Sequence, residues 1–214
     1  MTAVLVVGLL GTAIWLVWFS SAFALERVTV TGSDYLSADD VRSAAELKTG
    51  EPLARVDLAG VEGRVEALAP IRSATVTRSW PHEIRIQVFE RTAVAVVRVG
   101  GEVRGMDADG VIFRSYPRLP AELPLILTGG TADIEARREA AIVASSLPAD
   151  LAGKVDHLEV ASVDAITLRL RDGRTVLWGS ADQSDLKAQV LAGLLSQSAS
   201  QYDVSVPGNP TLRP

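Results

Sequence analysis

From Met1 to Leu25 the sequence MTAVLVVGLLGTAIWLVWFSSAFAL carries no charged side chain, and the first charge is Glu26. A helix over Ala3–Phe23 would be about 30 Å long at 1.5 Å per residue, the thickness of a bilayer core. The pattern therefore predicts a transmembrane anchor over 1–25 that meets the lipid bilayer through 3–23. Trp15, Trp18 and Phe19 fall in its second half, toward the far interface. A signal peptide is the competing reading, because Ala22-Phe23-Ala24 resembles a small-residue cleavage site, yet no basic residue precedes the apolar run. The missing basic flank also suggests a longer segment ahead of Met1.

Beyond Glu26 the periodicity turns to short elements. Val28 and Val30 alternate as in a strand, Gly32 marks a turn, and Ser37 followed three residues later by Asp40 marks a capped helix start. That helix carries Val41, Ala44, Ala45 and Leu47. After the GEP turn at 50–52, Val61, Val65 and Leu68 recur at helical spacing and stop before Pro70. IRSATVTRSW and HEIRIQVFE then read as two strands interrupted by Pro81, with Ile84, Ile86 and Val88 on one side. The order is β-α-α-β-β over roughly 26–90. Neither short helix is stable alone, so both must bury their stripes against the sheet.

From Arg91 strands and turns dominate. Ala93, Ala95 and Val97 alternate, Gly100-Gly101 and the Asp-Gly of MDADGVIF supply turns, and YPRLPAELP is a proline-rich connection. A helix is expected over Ile134–Leu147, with Ala136, Ala140, Val143 and Leu147 on one side. HLEV, AITLRL and RTVLW form a meander around the RDGR turn at 171–174. A final helix over about Gln183–Leu195 carries Leu186, Val190, Leu191, Leu194 and Leu195. Tyr202, Val204 and Val206 alternate in a last strand that Pro207 ends. These helices do not repeat regularly between parallel strands, so the second module is expected to be α+β with a mixed or antiparallel sheet and flanking helices.

Composition narrows the function. The net charge is −5, and 3 Lys and 18 Arg are scattered without a basic stripe, so no nucleic acid is expected as a partner. With no cysteine and only His82 and His157, no disulfide, thiolate or zinc-ligand cluster is formed by motif. Asp107 and Asp109 read as a turn with Gly110, because the calcium-loop spacing is missing. Asn209 precedes Pro210 and is no glycosylation acceptor. No nucleophile elbow or phosphate loop is present. The residues support a non-enzymatic binding and scaffolding protein with no cofactor and no metal.

The segments around Gly50–Asp57, SATVTRSWP at 73–81, IRIQVFERTAVAV at 84–96, Asp109–Val111, Leu119-Pro120, RDGRTVLWG at 171–179, KAQVLAGLL at 187–195 and the terminal YDVSVPGNPTLRP resemble, in order, the FtsQ/DivIB family of bacterial cell-division proteins. The Arg-rich, Ala/Val-rich composition is similar to that of actinobacterial members. The resemblance implies a transmembrane anchor at 1–25, a POTRA domain at 26–94, the family's β domain at 95–206 and a tail at 207–214. It also implies a single-pass protein of the cell membrane, with a cytosolic N terminus and its domains outside, enriched at the division septum. The implied activity is non-enzymatic: a divisome scaffold linking FtsB/DivIC-like, FtsL-like and other divisome membrane proteins in support of septal peptidoglycan synthesis. A POTRA-containing polypeptide transport receptor or chaperone is the alternative, and a wall-active enzyme a third class. In the family the last ordered strand can pair with an FtsB-like partner; by motif that strand is Tyr202, Asp203, Val204, Ser205 and Val206. Alternation leaves open whether these are edge or core residues. Arg78, Trp80 and Pro81 are expected to shape the POTRA domain, with a recognition role open for Arg78. Glu90 and Arg91 are expected to form a local ion pair at the junction.

Overall fold

The computed structural model describes residues 2–128 and 134–214; Met1 lies outside the described residues. The chain divides into two units, Met1–Arg91 and Thr92–Pro214.

The first unit opens with helix α1, Thr2–Phe19. Its 18 residues measure about 27 Å, and the helix stops where the Ser20 hydroxyl accepts the Ala22 N–H to start a single 3-10 turn at Ser21–Phe23. The estimate of a bilayer-spanning segment required helix through Phe23. Among the described residues no helix is long and apolar enough to cross a membrane. The expected transmembrane anchor, its bilayer contact through 3–23 and the single-pass membrane topology are corrected accordingly.

The β-α-α-β-β order is realised in strand β1 (Arg27–Thr31), helices α2 (Ala38–Ala45) and α3 (Leu58–Glu66), and strands β2 (Ile71–Ser79) and β3 (Glu83–Glu90). The sheet order is β1-β3-β2, with β1 parallel to β3 and β2 antiparallel to it. Central β3 carries Ile84, Ile86 and Val88, all buried, and the register sets Val28 and Val30 beside Ile84 and Ile86. Val41 and Ala45 of α2 and Val61 and Val65 of α3 close over this face. Ser37 caps α2 reciprocally: its hydroxyl accepts the Asp40 N–H at 3.1 Å while the Asp40 carboxylate accepts the Ser37 N–H at 3.3 Å. Gly32, at φ +83°, is fixed by close approach, because a Cβ there would collide with the Val88 carbonyl oxygen.

The second unit is a mixed sheet. Its strands are β4 (Ala95–Val99), β5 (Glu102–Met106), β6 (Ile112–Tyr116), β7 (Leu125–Thr128), β8 (Val155–Ser162), β9 (Ala165–Leu170), β10 (Thr175–Gly179), β11 (Gln201–Asp203) and β12 (Thr211–Arg213). Among the described residues the sheet order is β12-β11-β10-β9-β8-β7-β4-β5-β6. Helices α4 (Ile134–Ser146), α5 (Ala149–Ala152) and α6 (Ser184–Leu194) accompany it. The meander β8-β9-β10 is antiparallel, whereas β7 runs parallel to β8 and β10 parallel to β11, each across a helical connection.

Alternation sorts the two faces. Leu158, Val160, Ile166, Leu168, Val176, Trp178 and Tyr202 face the core with Ala140, Ala144, Ala188 and Leu191. His157, Glu159, Thr167, Arg169 and Thr175 occupy the alternate positions and stay half-buried. The DADG segment is the turn between β5 and β6: the Asp107 carboxylate accepts the N–H groups of Asp109 and Val111 at 3.0 and 2.8 Å, and Gly110 sits at φ +79°. Among the described residues no group of three or more His, Asp or Glu is arranged to hold a metal ion.

Candidate functional site

The end of the second sheet is built on the corner between β10 and α6. The Trp178 indole N–H donates to the Ser184 hydroxyl at 3.1 Å, which in turn donates to the Ala181 carbonyl at 2.7 Å. Lys187 is buried one helical turn on, its ammonium donating to the Ser180 carbonyl at 2.8 Å. Burial pushes this amine below the ordinary lysine range, with Asp182 opposing the shift. Of the residues expected on the buried side of this helix, Leu191 is buried and Val190, Leu194 and Leu195 pack against the core, but Leu186 is exposed, and Ser184, Lys187 and Ala188 are buried in addition.

Helix α6 returns the chain to β11, which lies parallel to β10 with Tyr202 opposite Val176. Tyr202 is fully buried, and its hydroxyl donates to the Gln197 carbonyl at 2.7 Å while accepting from Arg174 Nη1 at 2.6 Å. Arg174 also donates to the Leu195 carbonyl at 3.2 Å and pairs with Asp172 at 2.7 Å. The Arg174 guanidinium is the chief reason the Asp172 carboxyl lies below the usual carboxylate range. A shallow hollow of about 610 Å³, lined by Arg174, residues 195–200 and Pro214, opens beside this anchor.

After Asp203 the alternating segment does not continue as a strand. The Asp203 carboxylate accepts the Ser205 N–H at 3.0 Å and its hydroxyl at 2.6 Å, which bends the chain. Val204 is fully buried, Ser205 is exposed, and Val206 is 62% exposed in the turn. Pro207-Gly208 carries the chain around, the Asn209 N–H donates to the Val206 carbonyl at 2.9 Å, and 211–213 returns as β12. Gln201, Tyr202 and Asp203 pair antiparallel with Arg213, Leu212 and Thr211. The strand expected over 202–206 is only Gln201–Asp203, and β12, from the segment expected as a tail, lies on its outer side.

Hydrogen-bond alternation shows what each edge offers. The Ser200 carbonyl and the Val204 N–H both bond to β10, so β11 turns the groups of Tyr202 to β10 and those of Gln201 and Asp203 to β12. In β12, Thr211 and Arg213 therefore face β11, while Leu212 presents its N–H and carbonyl outward. Pro210, the preceding outward position, has no N–H to give. The Ser200 N–H and hydroxyl fasten the other end, donating to the carbonyls of Arg213 at 2.9 Å and Pro214 at 2.8 Å.

The other predicted residues belong to the first unit. Arg78 is structural in its contacts: Nε donates to the Leu53 carbonyl and Nη2 to the Val56 carbonyl, each at 2.6 Å, closing the 3-10 turn at Leu53–Arg55. Trp80 is 49% exposed and packs edge-on against Phe23, ring centroids 5.8 Å apart, ahead of a cis bond to Pro81. Trp80 and Pro81 line a hollow of about 310 Å³ with Glu26, Arg27, Ser79, His82 and Glu83. Thr29, donating at 2.6 Å, is the main cause that holds the Glu83 carboxyl below its ordinary value. Glu90 is committed elsewhere than to Arg91: its carboxylate accepts the N–H groups of Asp34, Tyr35 and Leu36. The Arg91 N–H donates to the Pro70 carbonyl at 2.8 Å.

Sequence reading missed Arg174 and β12. The signal for β12 was present in Pro207-Gly208, a turn dipeptide between two short alternating runs. Arg174 lay inside the RDGR turn, and nothing in that spacing points to a tyrosine on a later strand.

The family model described as POTRA domain, FtsQ-type, matches residues 23–91, and that described as cell division protein FtsQ/DivIB, C-terminal, matches 95–206. The cell division protein FtsQ of Streptomyces collinus is 40% identical over 223 residues, covering 97% of this chain and 84% of that protein. That of Streptomyces coelicolor (strain ATCC BAA-471 / A3(2) / M145) is 37% identical, covering 95% and 83%, and that of Mycobacterium tuberculosis (strain CDC 1551 / Oshkosh) 33%, covering 99% and 68%. Among solved structures, the major extracytoplasmic domain of the trans isomer of the cell-division protein DivIB from Geobacillus stearothermophilus aligns with 19% identity and a TM-score of 0.39 over 51% of this chain and 98% of that one, too slight a likeness to bear on the fold.

Proposed function

Because this chain belongs to the FtsQ/DivIB family of cell-division proteins, non-enzymatic scaffolds of the divisome, we propose that it holds an FtsB/DivIC-like partner by strand pairing at the terminal hairpin of its second sheet, residues 201–213. FtsL-like and other division proteins join through that partner. The reading keeps the divisions expected from the resemblance at 26–94 and 95–206, with 207–214 now part of the binding element. The observation that carries it is the hairpin itself: a sheet end fixed to the core by Tyr202 and Arg174 and, among the described residues, bordered by no further strand. The strands of such a hairpin hold the backbone groups that give affinity in strand pairing and the alternate side chains that give selectivity.

The absence of cysteine from the chain makes the test clean. Single cysteines are placed at Gln201→Cys in β11 and Thr211→Cys in β12, one of which borders the partner in either pairing mode, and at Ser115→Cys on the opposite edge strand β6, for crosslinking to the cognate FtsB/DivIC-like protein. Crosslinks from 201 or 211 and none from 115 are expected. Binding that persists with crosslinks only from 115, or from neither edge, refutes the hairpin as the site.

A further inference from the structure

The free edge of the hairpin is a poor template, and the edge beneath it is a better one. With β12 in place only Leu212 offers both an N–H and a carbonyl outward, since Pro210 lacks the donor and the Pro214 carbonyl is turned to the Ser200 hydroxyl. With β12 lifted, Gln201 and Asp203 each offer an N–H and a carbonyl on a strand that stays anchored through Tyr202. The cover is slight: a three-residue strand, the Ser200 bonds and the half-buried side chain of Leu212 against the core. Proline beside a short edge strand is a common device against unwanted pairing.

From this we propose that β12 is a displaceable guard, and that the partner strand takes its place on β11 instead of adding outside it. The inference rests on the hairpin being the partner site. It specifies the partner's chemistry: an extended segment in β12's antiparallel register, with an apolar residue replacing Leu212 over the core. That segment has no proline at the positions opposite Gln201 and Asp203, where both backbone groups are needed. The guard then limits pairing to a strand able to replace both its hydrogen bonds and its buried leucine.

Thr211→Pro and Pro210→Val separate this from simple addition. Thr211 donates toward β11, so proline there loosens the guard and leaves β11 unaltered; valine at 210 restores an outward donor to β12. Affinity for the cognate FtsB/DivIC-like protein is measured with the whole chain, with melting curves for each variant. Thr211→Pro is expected to bind about tenfold or more tightly, equivalent to about 1.4 kcal/mol, and Pro210→Val no more tightly than the native chain. Hydrogen exchange on the native complex gives a readout independent of the variants: amides of 211–213 lose protection on binding while those of Gln201 and Asp203 keep it. Weaker or unchanged binding by a Thr211→Pro chain that melts normally, tighter binding by Pro210→Val, or retained protection of 211–213 overturns the guard and makes β12 the docking strand, with the hairpin site intact. No binding by any form overturns the site and the guard together.

Discussion

Arg174 and Tyr202 meet across 28 residues of sequence, guanidinium to phenol at 2.6 Å, at the place where the second sheet ends. The phenol passes the interaction on to the Gln197 carbonyl, so one buried ring ties the RDGR turn, the loop after α6 and β11. Tyr202→Phe keeps the ring and removes both bonds. The expected loss is about 1–3 kcal/mol, the range for leaving a buried polar group without its partner. Urea unfolding monitored by tryptophan fluorescence measures it. A loss below about 0.5 kcal/mol contradicts this account of the anchor.

Asp172 supplies a pH signature for the same corner. Its carboxyl is held low chiefly by Arg174, so its contribution is present above the ordinary aspartate range, near pH 3.9, and disappears as pH falls through the depressed value. Asp172 is about half exposed, which confines the pair to about 0–1 kcal/mol. Melting temperatures of Asp172→Asn and the native chain are expected to differ slightly at pH 7 and to converge in strong acid. A gap that widens on acidification has the wrong sign.

Lys187 titrates at the opposite end of the scale. Burial lowers its folded-state value, so the unfolded chain holds more protons below the ordinary lysine range, and stability rises with pH there. The melting temperature of the native chain relative to Lys187→Met is expected to climb from pH 8 to pH 10. A flat difference across that interval shows that the ammonium is better solvated than its burial implies.

In the first unit Arg78 serves three carbonyls, those of Leu53, Ala54 and Val56. Arg78→Ala is expected to destabilise that unit by about 2–3 kcal/mol, since charged hydrogen bonds are lost and acceptors stranded. Arg78→Lys should recover only part, because an ammonium cannot reproduce the planar fork. Equal stability of the Lys variant and the native chain, read by urea unfolding, removes the geometric argument.

Glu90 caps the turn that enters α2 by accepting N–H groups from three successive residues, Asp34, Tyr35 and Leu36. Glu90→Gln keeps an acceptor oxygen but loses the charge, with an expected loss of about 1 kcal/mol and faster amide exchange at 34–36. Unchanged exchange at these amides refutes the capping role.

The two-residue and helical periods carried most of this architecture in the sequence. Ile84, Ile86 and Val88 announced a central strand, and Ser37 with Asp40 announced the start of α2. What failed did so for identifiable reasons. Phe19 ends α1 because Ser20 finds a local backbone partner, and composition alone extended the apolar run to Phe23. Leu186 was assigned to the core by its apolar character, whereas Lys187, with a long aliphatic stem and a carbonyl for its head, took the buried position. Pro207 was read as a terminator, although with Gly208 it makes a turn. Adjacency in sequence suggested pairing of Glu90 with Arg91, but β3 ends at Glu90, whose carboxylate found backbone donors 54–56 residues away.

The parallel pairing of β10 with β11 makes this end of the sheet depend on distant contacts. A parallel neighbour is reached only through a crossover, here α6, so β11 comes to β10 by way of that helix and is held there by the turn carrying Arg174. During synthesis the ribosome releases these segments after the rest of the sheet. β11 and β12 are thus the last strands to leave the ribosome, and the corner that holds them joins side chains 28 residues apart.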